Sequence, residues 1–411
     1  MARIAMITIR YGEEINGGAE YHCRMLAERL TDTHDITVLT TNTNKLDDPS
    51  SDFKIGESNL NGVKVLRFST SKPHLMLAKQ ASKKSKTARK LRRMIYRTGL
   101  SSLLFKTFPI WNFKVDQEIE LLKQHPFYSP TLLAHIEDNK EHYDAFVFFT
   151  YENPLTVLGS LIVPEKTILI PTAHMEGMLF RSINSLVFSK VRHIAFNTET
   201  EYQMCRTIFQ QAMSPSSIVG IGVEIADASP FNLIQARYQL KDPFLLYCGR
   251  ITEVKINSFL DYFIKFRAET GLKLKLILTG EVLMPRVEHP DISYIGYVSE
   301  ADKIALLNSS FAVVNPSKAE SLSLLTLEAL SLGKAVIANQ EAEVMVEHEE
   351  RSDGAVRCYA DYASFKEILT DLLEQPLQLK EIAQKGKEYV TRNYNWDLII
   401  RKFETILNEI N

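Results

Sequence analysis

The chain has 411 residues, which at roughly 100–200 residues per domain is enough for two or three domains and excludes a single small module. Hydrophobic residues make up 45% and charged residues 24%, so the composition is that of a folded globular protein. The 48 Lys and Arg residues and the 50 Asp and Glu residues give a formal charge of −2. Because this balance creates no global positive field, nucleic acid is not an expected partner.

Cysteine usage and the apolar segments predict a cytoplasmic protein that is not integral to a membrane. The four cysteines are far apart and form no C-x-x-C pair, which favours reduced thiols. Residues 1–9 run directly into a short apolar strand with a charge inside it, unlike a signal peptide. The longest apolar stretch, 145–163, is interrupted by Glu152, Asn153 and Pro154, so no membrane-spanning segment is expected.

In the first half of the chain, short apolar runs alternate with helical patterns. Strands are predicted at 3–9, 36–41, 63–68, 145–149, 167–170 and 193–196, and helices at 19–30 and 199–209. The strands are apolar on both faces, which is typical of a parallel sheet covered by helices on both sides.

The periodic pattern is lost between residues 222 and 243, where Gly, Ser, Pro and Asp accumulate, and we place a domain boundary there. The second half repeats the alternation, with strands predicted at 244–248, 274–278, 292–295, 311–314 and 335–338, and helices at 256–268, 300–307 and 324–332. We predict an α/β protein with an N-terminal domain of residues 1–222 and a C-terminal domain of residues 240–394. An amphipathic helix at 395–411 is expected to pack back on the first domain.

Residues 72–114 contain twelve Lys or Arg residues and no Asp or Glu. One interpretation is a solvated helical face. The other is a surface for anionic lipid headgroups or for a phosphate-bearing acceptor. The second is favoured by the apolar residues interleaved with the cations, namely Leu91, Met94, Ile95, Leu100, Leu103, Leu104 and Phe105.

Two doubly wound units with a crevice between them are typical of enzymes with nucleotide-containing substrates. No G-x-G-x-x-G follows either opening strand, and no P-loop sequence is present, which argues against a dehydrogenase or a P-loop enzyme. The strand at 244–248 is followed instead by Gly249 and Arg250, with Lys255 five residues later. Gly admits close approach, Arg binds two oxygens and Lys is a mobile charge, so this trio suits a diphosphate, although surface cations are a common alternative.

A second segment, 315–330, contains two carboxylates at a defined spacing. Glu320 follows a strand, and Glu328 comes eight residues later on the same predicted helical face, about 12 Å along the axis. Catalytic carboxylates of glycosidases lie about 5–9.5 Å apart, so this pair is better spaced for the two ends of an extended ligand. The free N–H groups of the first helical turn between them would face a diphosphate.

These segments, with Gly17-Gly18-Ala19-Glu20 at the first helix, resemble the retaining family 4 glycosyltransferases of the GT-B fold. The resemblance implies two Rossmann-like domains facing each other across a cleft, the first binding the acceptor and the second binding the nucleotide sugar. His174, in Pro171-Thr-Ala-His-Met, stands where that family commonly has an active-site histidine. A structural histidine is the alternative at this position.

The resemblance also implies individual roles. Arg250 and Lys255 would bind the donor diphosphate, and Glu328 the ribose hydroxyls. Glu320 would contact the donor sugar near the reacting carbon, and His174 would face that sugar from the first domain. The remaining donor-site residues would be Gly249, Ser321, Ser323, Leu324, Tyr297 and Val298. Gly17 and Gly18 would lie by the diphosphate or acceptor, or would only form the entry turn of their helix.

The chain departs from the family pattern at three positions, one of them Ile256, which follows Lys255 where glycine is usual. Ser321 and Ser323 replace two glycines, and their hydroxyls would cap the helix or bind phosphate while narrowing the pocket. No Asp-x-Asp is present, and the cations at residues 250 and 255 can offset the charge of the leaving group. We therefore expect no cofactor and no essential metal.

The sequence thus predicts a retaining glycosyltransferase that moves a sugar from a nucleotide-diphosphate donor to a glycan or lipid-linked acceptor. A role in bacterial surface polysaccharide or glycoconjugate assembly is expected, with possible peripheral attachment to the inner face of the membrane through residues 72–114. The alternatives are a noncatalytic nucleotide- or glycan-binding GT-B subunit, and a sugar phosphorylase or epimerase on the same fold.

Overall fold

The computed structural model describes residues 1–15, 17–45, 52–101, 103–104, 110–256 and 258–410. Phe105 of the interleaved apolar set and Lys106 of the twelve cations lie outside the described residues. The chain forms two compact units, one made of Met1–Gly220 with Ile399–Asn411 and the other of Ile221–Leu398. Each unit is an α/β layer structure with its own sheet.

Within its described residues, the first unit contains an eight-stranded sheet. Its strands are β1 Arg3–Ile7, β2 Asp35–Thr41, β3 Gly56–Leu60, β4 Val63–Phe68, β5 Ala145–Phe149, β6 Thr167–Ile170, β7 His193–Phe196 and β8 Ser216–Ile218. The order across the sheet is β3-β4-β2-β1-β5-β6-β7-β8. All neighbours are parallel except β3, which is antiparallel to β4.

Helices cover both faces of this sheet, as parallel strands require. They are α1 Gly18–Leu30, α2 Leu75–Arg97, α3 Val115–Leu122, α4 Pro130–Asp138, α5 Pro154–Ser160, α6 Ser182–Lys190 and α7 Glu199–Phe209. Short 3-10 turns lie at Pro164–Lys166, Gly177–Phe180 and Gln210–Ala212. The core is rich in aromatic residues, and the rings of Phe188 and Phe209 stack with centroids 4.2 Å apart.

The described part of the second unit contains a six-stranded parallel sheet. Its strands are β9 Phe244–Cys248, β10 Lys275–Thr279, β11 Ile292–Gly296, β12 Ala312–Asn315, β13 Val336–Asn339 and β14 Val356–Tyr359. The order β11-β10-β9-β12-β13-β14 is the usual doubly wound order, in which the direction of winding reverses between β9 and β12. Nearly every residue of β9, β10, β12 and β13 is buried.

Helices again alternate with the strands. They are α8 Phe231–Tyr238, α9 Glu253–Ile256, α10 Phe259–Thr270, α11 Glu300–Ser309, α12 Leu324–Ser331, α13 Glu343–Arg351, α14 Tyr362–Glu374, α15 Pro376–Asn393 and α16 Trp396–Ile410. The part of α16 that belongs to the first unit buries Ile399, Phe403, Ile406 and Leu407. Its Glu404 carboxylate pairs with the ring of His34 at 2.9 Å.

The predicted strands match observed strands to within one or two residues at each end, but other observed elements differ from the prediction or are absent from it. The helix predicted at 256–268 is divided into α9 and α10. The stretch assigned to an irregular boundary contains α8, which is fixed by Ile234 in the core and by Arg237 bonded to Asp302 at 2.6 Å. The strands β3, β8 and β14 were not predicted, and the residues GESNL of β3 carry no apolar alternation.

A turn signal for β3 is nevertheless present. Asn61 and Gly62 join β3 to β4 with φ values of +50° and +84°, as a tight hairpin turn of the primed type requires. The Asn-Gly dipeptide was the feature that could have revealed the hairpin. No helix among the described residues is long and apolar enough to cross a membrane.

Candidate functional site

The second unit brings the predicted donor residues to one edge of its sheet. In doubly wound sheets, ligands bind outside the carboxyl ends of the strands where the winding reverses. Gly249 and Arg250 follow the end of β9, and the loop that carries Glu320 follows the end of β12. These two strands are neighbours in the sheet, so the two loops emerge side by side.

The backbone at the end of β9 has a conformation that favours glycine. Gly249 has φ of +150° and Gly280, after β10, has φ of +129°. A Cβ atom on Gly280 would lie 2.0 Å from the carbonyl oxygen of Gly249, so the two chains can approach this closely only without side chains. The Gly249 N–H donates to Thr279 O at 3.0 Å, and the Tyr247 hydroxyl donates to Arg250 O at 2.9 Å. The backbone that presents Arg250 is therefore held at several points.

Arg250 is exposed, and its guanidinium forms no hydrogen bond or ion pair with any other described residue. Lys255 is different, because its Nζ lies 2.5 Å from Glu320 Oε1. The backbone N–H of Lys255 is fixed by the Thr252 hydroxyl at 3.2 Å. Lys255, which is predicted to bind the diphosphate, and Glu320, which is predicted to contact the sugar, thus form one partly exposed ion pair.

The spacing of Glu320 and Glu328 differs from the prediction. Helix α12 begins at Leu324, so Glu320 lies in the preceding loop and the two carboxylates do not share one helical face. The helix begins late because Ser323, with φ of +67°, turns the chain. The prediction that the two residues are separated by about 12 Å along one helix was therefore wrong. Both residues nevertheless lie near β9, because Glu320 interacts electrostatically with Tyr247 and Glu328 with Cys248.

Ser323 caps α12. Its hydroxyl accepts the Thr326 N–H at 3.3 Å and the side-chain amide of Asn315 at 2.9 Å. Of the two possibilities for this hydroxyl, the cap is the one with a partner in the structure. Ser321 is partly buried, and Leu324 is the first residue of the helix.

A buried histidine that the sequence analysis missed holds the Glu320 loop. His348 in α13 is fully buried, and its Nε2 lies 2.8 Å from Leu322 O, to which it donates. Its Nδ1 lies 2.8 Å from the Tyr389 hydroxyl, which in turn lies 3.0 Å from the Tyr394 hydroxyl. Burial lowers the pKa of His348, so the ring is neutral and acts as a fixed connector. No local pattern distinguishes this residue in the sequence.

Glu328 is buried and has a lysine partner that the sequence analysis also missed. Lys303 Nζ in α11 lies 2.9 Å from Glu328 Oε1 and 2.8 Å from Glu300 Oε1. Burial raises the pKa of Glu328, while Lys303 acts in the opposite direction. Burial alone would lower the pKa of Lys303, but the charges of Glu328 and Glu300 outweigh it and raise that pKa. Two hydrogen-bonded carboxylates thus hold the Lys303 ammonium beside Glu328.

The predicted donor-site residues Tyr297 and Val298 lie just before α11. Tyr297 is 68% exposed and Val298 is buried, so the tyrosine ring is the accessible member of this pair. Both follow the carboxyl end of β11, on the same sheet edge as Gly280.

In the first unit, His174 lies in the loop after β6. Thr172 has φ of +51°, and the buried Glu201 accepts the N–H groups of Ala173 and Asn197, the latter at 2.7 Å. His174 Nε2 lies 3.9 Å from Glu176 Oε1, and a third of the His174 side chain is exposed. It is therefore not a buried structural histidine like His348.

Gly17 and Gly18 form the entry to α1. A Cβ on Gly17 would lie 1.9 Å from Glu20 Oε2, so glycine here leaves room for that carboxylate. Glu20 Oε1 pairs with Arg10 at 2.9 Å. A Cβ on Gly18 would meet no described atom within 4 Å, so this position has no internal need for glycine.

The basic segment, residues 72–114, is only partly exposed to solvent. Helix α2 buries Ala81, Ser85, Ala88 and Arg92 on one face. The Arg92 guanidinium donates to Arg181 O at 3.1 Å and lies 5.0 Å from the ring centre of Phe209. Arg92 is therefore not one of the cations available to a membrane. Of the interleaved apolar residues, Leu91, Met94, Leu100, Leu103 and Leu104 are exposed and Ile95 is partly buried.

Among the described residues, no group of three or more His, Cys, Asp or Glu side chains is arranged to hold a metal ion.

The cap at Ser323 leads to a stability prediction. Ser323→Ala should destabilise the protein by about 1 kcal/mol, because it removes the cap and keeps the positive φ. Ser323→Gly should be close to neutral, because glycine relieves the backbone strain and is itself tolerated at a helix start. Urea unfolding of both variants tests this. Equal destabilisation by the two substitutions would show that the positive φ costs nothing here.

Comparison with known proteins places the chain in context. Residues 242–375 match the family model described as "Glycosyl transferases group 1". A curated relative, glycosyltransferase 1 domain-containing protein 1 of Xenopus tropicalis, is 26% identical over 175 residues, which are 40% of this chain and 49% of the relative. The chain thus spans about half the length of this relative.

Solved structures resemble the chain over its whole length. Sucrose-phosphate synthase from Thermosynechococcus elongatus is 14% identical with a TM-score of 0.67, over 100% of this chain and 99% of that one. Anabaena HepE, solved with UDP and glucose, is 15% identical with a TM-score of 0.67, over 100% of both chains. WaaG, a glycosyltransferase involved in lipopolysaccharide biosynthesis, is 11% identical with a TM-score of 0.62, over 98% of this chain and 99% of that one. The chain therefore has the GT-B fold of glycosyltransferases, and the group 1 domain in its second unit supports a glycosyltransferase.

Proposed function

We propose that the protein is a retaining glycosyltransferase that uses a nucleotide-diphosphate sugar. The observation that carries the proposal is the joint placement of Arg250, Lys255 and Glu320 at the carboxyl ends of β9 and β12. The group 1 domain match over the same unit supports it. HepE has been solved with UDP-glucose, which supports the same class of donor for this chain.

Donor binding begins with exchange of partners at Lys255. A diphosphate carries more negative charge than one carboxylate, so it competes with Glu320 for the Lys255 ammonium. Arg250 contributes a second cation that breaks no internal bond when it binds. At the other end, the Glu328 side chain accepts hydrogen bonds from the ribose hydroxyls, while Lys303 keeps it in place.

The chemical step then depends on charge stabilisation. Arg250 and Lys255 offset the charge that develops on the departing diphosphate, which is usually the largest contribution in such sites. Glu320, released from Lys255, lies by the sugar carbon where positive charge develops. We propose front-face substitution with retention, with His174 as the contribution of the first unit and without an essential metal.

A panel of nucleotide sugars tests this function. The full chain is incubated with UDP-, GDP-, dTDP- and ADP-sugars, and release of the nucleoside diphosphate is followed with and without EDTA. We expect release with one base, unaffected by EDTA, and a product whose anomeric configuration by NMR matches the donor. If no donor is turned over, a noncatalytic binding protein is favoured. Turnover that requires added inorganic phosphate would indicate a phosphorylase. An epimerised donor without transfer would indicate an epimerase.

We further propose a glycan or lipid-linked acceptor and a peripheral position at the cytoplasmic face of a membrane, in surface polysaccharide or glycoconjugate assembly. Among the described residues, ten of the nineteen exposed large apolar side chains lie between Leu75 and Phe113, the span of the basic segment. Cations alternating with exposed apolar groups suit an anionic interface. The role of WaaG in lipopolysaccharide biosynthesis supports the same direction.

The position of Arg250 after β9 leads to a prediction about nucleotide binding. Arg250→Ala should weaken binding of the nucleoside diphosphate by about tenfold or more, because a hydrogen bond to a charged group contributes about 1.5–3 kcal/mol. Lys273→Ala is the matched control, since Lys273 is exposed and precedes β10 at the amino edge of the sheet. Calorimetry measures both affinities, and equal values for Arg250→Ala and wild type would remove Arg250 from the donor site.

The two glycines before α1 can be separated by substitution. Gly18→Ala should leave the melting temperature unchanged and lower turnover, because the methyl group has internal space but would block close approach of a phosphate. Gly17→Ala should destabilise the protein, because it displaces Glu20 from Arg10. Melting curves and turnover are recorded for both variants. Full turnover of Gly18→Ala would restrict this loop to starting the helix.

Membrane attachment is tested by vesicle flotation. A variant with Lys83, Lys84 and Lys90, all exposed, changed to Glu should float less with anionic vesicles than wild type. Each near-surface cation adds about 1 kcal/mol of attraction, which salt screens over about 8 Å. The control changes Lys241, Lys273 and Lys380 to Glu, an equal charge change in the second unit. Equal flotation of the two variants would identify the basic segment as a solvated face.

A further inference from the structure

A small polar pocket lies beside α2 in the first unit. Its interior offers about 20 Å³ to a water-sized molecule, and the space counted together with the open solvent at its mouth is about 230 Å³. Helices α2 and α3 and the residue after the Gly177–Phe180 turn form its walls. The lining residues are Ser82, Ser85, Lys86, Arg89, Glu118, Leu121 and Arg181. Nothing in the proposed donor chemistry uses these residues.

Cations dominate this pocket. Among the described residues, Lys86, Arg89 and Arg181 form no ion pair with a carboxylate. Within the described part of the chain, the Arg89 guanidinium donates a hydrogen bond only to the sulfur of Met178, at 3.3 Å, and the Arg181 guanidinium has no hydrogen-bond partner. Arg181 is partly buried, and this burial lowers the pKa of its guanidinium. Guanidinium groups in such positions are typical of sites that bind phosphate through two oxygens.

Glu118 adds a second kind of recognition. Its side chain is 1% exposed, and one carboxylate oxygen accepts the Ile183 N–H at 2.8 Å. The other oxygen, Oε1, is buried and has no hydrogen-bond partner among the described residues. A buried acceptor without a donor is unfavourable, so this oxygen is suited to receive an O–H group from a ligand.

The geometry points to a site for a phosphorylated polyol, with its phosphate on Lys86, Arg89 and Arg181 and a neighbouring hydroxyl donating to Glu118 Oε1. A simple anion would leave Glu118 Oε1 without a donor and would be repelled by it. A neutral sugar would leave Lys86 and Arg89 without an anionic partner, whereas Arg181 already interacts with Glu118 and Glu152. Only a ligand with both groups matches the whole lining.

The pocket also has a link to the candidate catalytic histidine. Arg181 and His174 both interact electrostatically with Glu152, which follows β5. Arg181, which would bind the phosphate, and His174, which is expected at the reacting sugar, therefore share Glu152 as a neighbour within the first unit. Binding of the phosphorylated polyol rests on the pocket alone, while its role as the acceptor of the transferred sugar rests on the proposed function.

Calorimetry on the full chain tests the site, with glycerol 3-phosphate and inorganic phosphate as probes. Glycerol 3-phosphate should bind more tightly than phosphate, and Arg181→Gln and Arg89→Gln should each weaken its binding by tenfold or more. Lys190→Gln is the control, because Lys190 is exposed in the first unit and does not line the pocket. Its affinity should stay within twofold of wild type. Equal losses in Lys190→Gln and Arg181→Gln, or no loss in any variant, would overturn the site.

Glu118→Gln tests the hydroxyl contact separately. The amide retains an oxygen for the Ile183 N–H but removes the negative charge, so inorganic phosphate should bind at least as tightly as before. The preference for glycerol 3-phosphate over phosphate should shrink several-fold. An unchanged preference would exclude Glu118 from ligand recognition.

Two further arms complete the design. Vesicles with phosphatidylglycerol present the same phosphate and hydroxyl groups as a lipid headgroup. If Arg181→Gln loses binding to these vesicles but not to glycerol 3-phosphate, the site is assigned to a headgroup. If it loses binding to glycerol 3-phosphate in solution, the site is assigned to a soluble ligand. Nucleoside diphosphate binding is measured on the same samples. If the nucleoside diphosphate binds but glycerol 3-phosphate shows no binding that depends on Arg181, this inference alone is overturned. If glycerol 3-phosphate binds in a way that depends on Arg181 but no nucleoside diphosphate binds, the proposed function alone is overturned.

Discussion

Parallel pairing of the strands is the constraint on which the candidate site depends. Since parallel strands need a crossover between them, all of their carboxyl ends lie at one edge, and the loops that follow them converge. In the second unit this places the residues after β9, β10, β11 and β12 together, although they are up to 70 residues apart in sequence. The close approach of Gly249 and Gly280 is a direct result of this convergence.

The two glutamates at that edge have lysine partners of different character. Lys255 and Glu320 are partly exposed, and pairs of that kind contribute about 0–1 kcal/mol, so a ligand can replace either partner at little cost. Glu328 is buried and its partner Lys303 is 20% exposed, so removing Lys303 would leave a buried charge without its partner and costs more than in the exposed pair. The difference suits an exchangeable contact at the reacting end of the donor and a fixed one at the ribose end.

The strands and the sheet class could be predicted from apolar runs, because burial on both faces leaves a local signal. The contacts of His348, Lys303 and Glu118 could not, because each joins segments distant in sequence and no local pattern marks them. The predicted helical spacing of Glu320 and Glu328 failed on a backbone detail, the positive φ of Ser323. The assigned roles of the site residues remain predictions.

The separate roles of the two glutamates are the central claim, and calorimetry combined with turnover tests them most directly. Glu328→Gln should weaken binding of the free nucleoside diphosphate by about tenfold, the effect of losing a charged hydrogen bond. Glu320→Gln should leave that affinity unchanged or increase it, because Lys255 is freed for the diphosphate, and should lower turnover sharply. Unfolding midpoints of both variants establish that the fold is intact. Weaker nucleotide binding in Glu320→Gln with normal binding in Glu328→Gln would contradict the account.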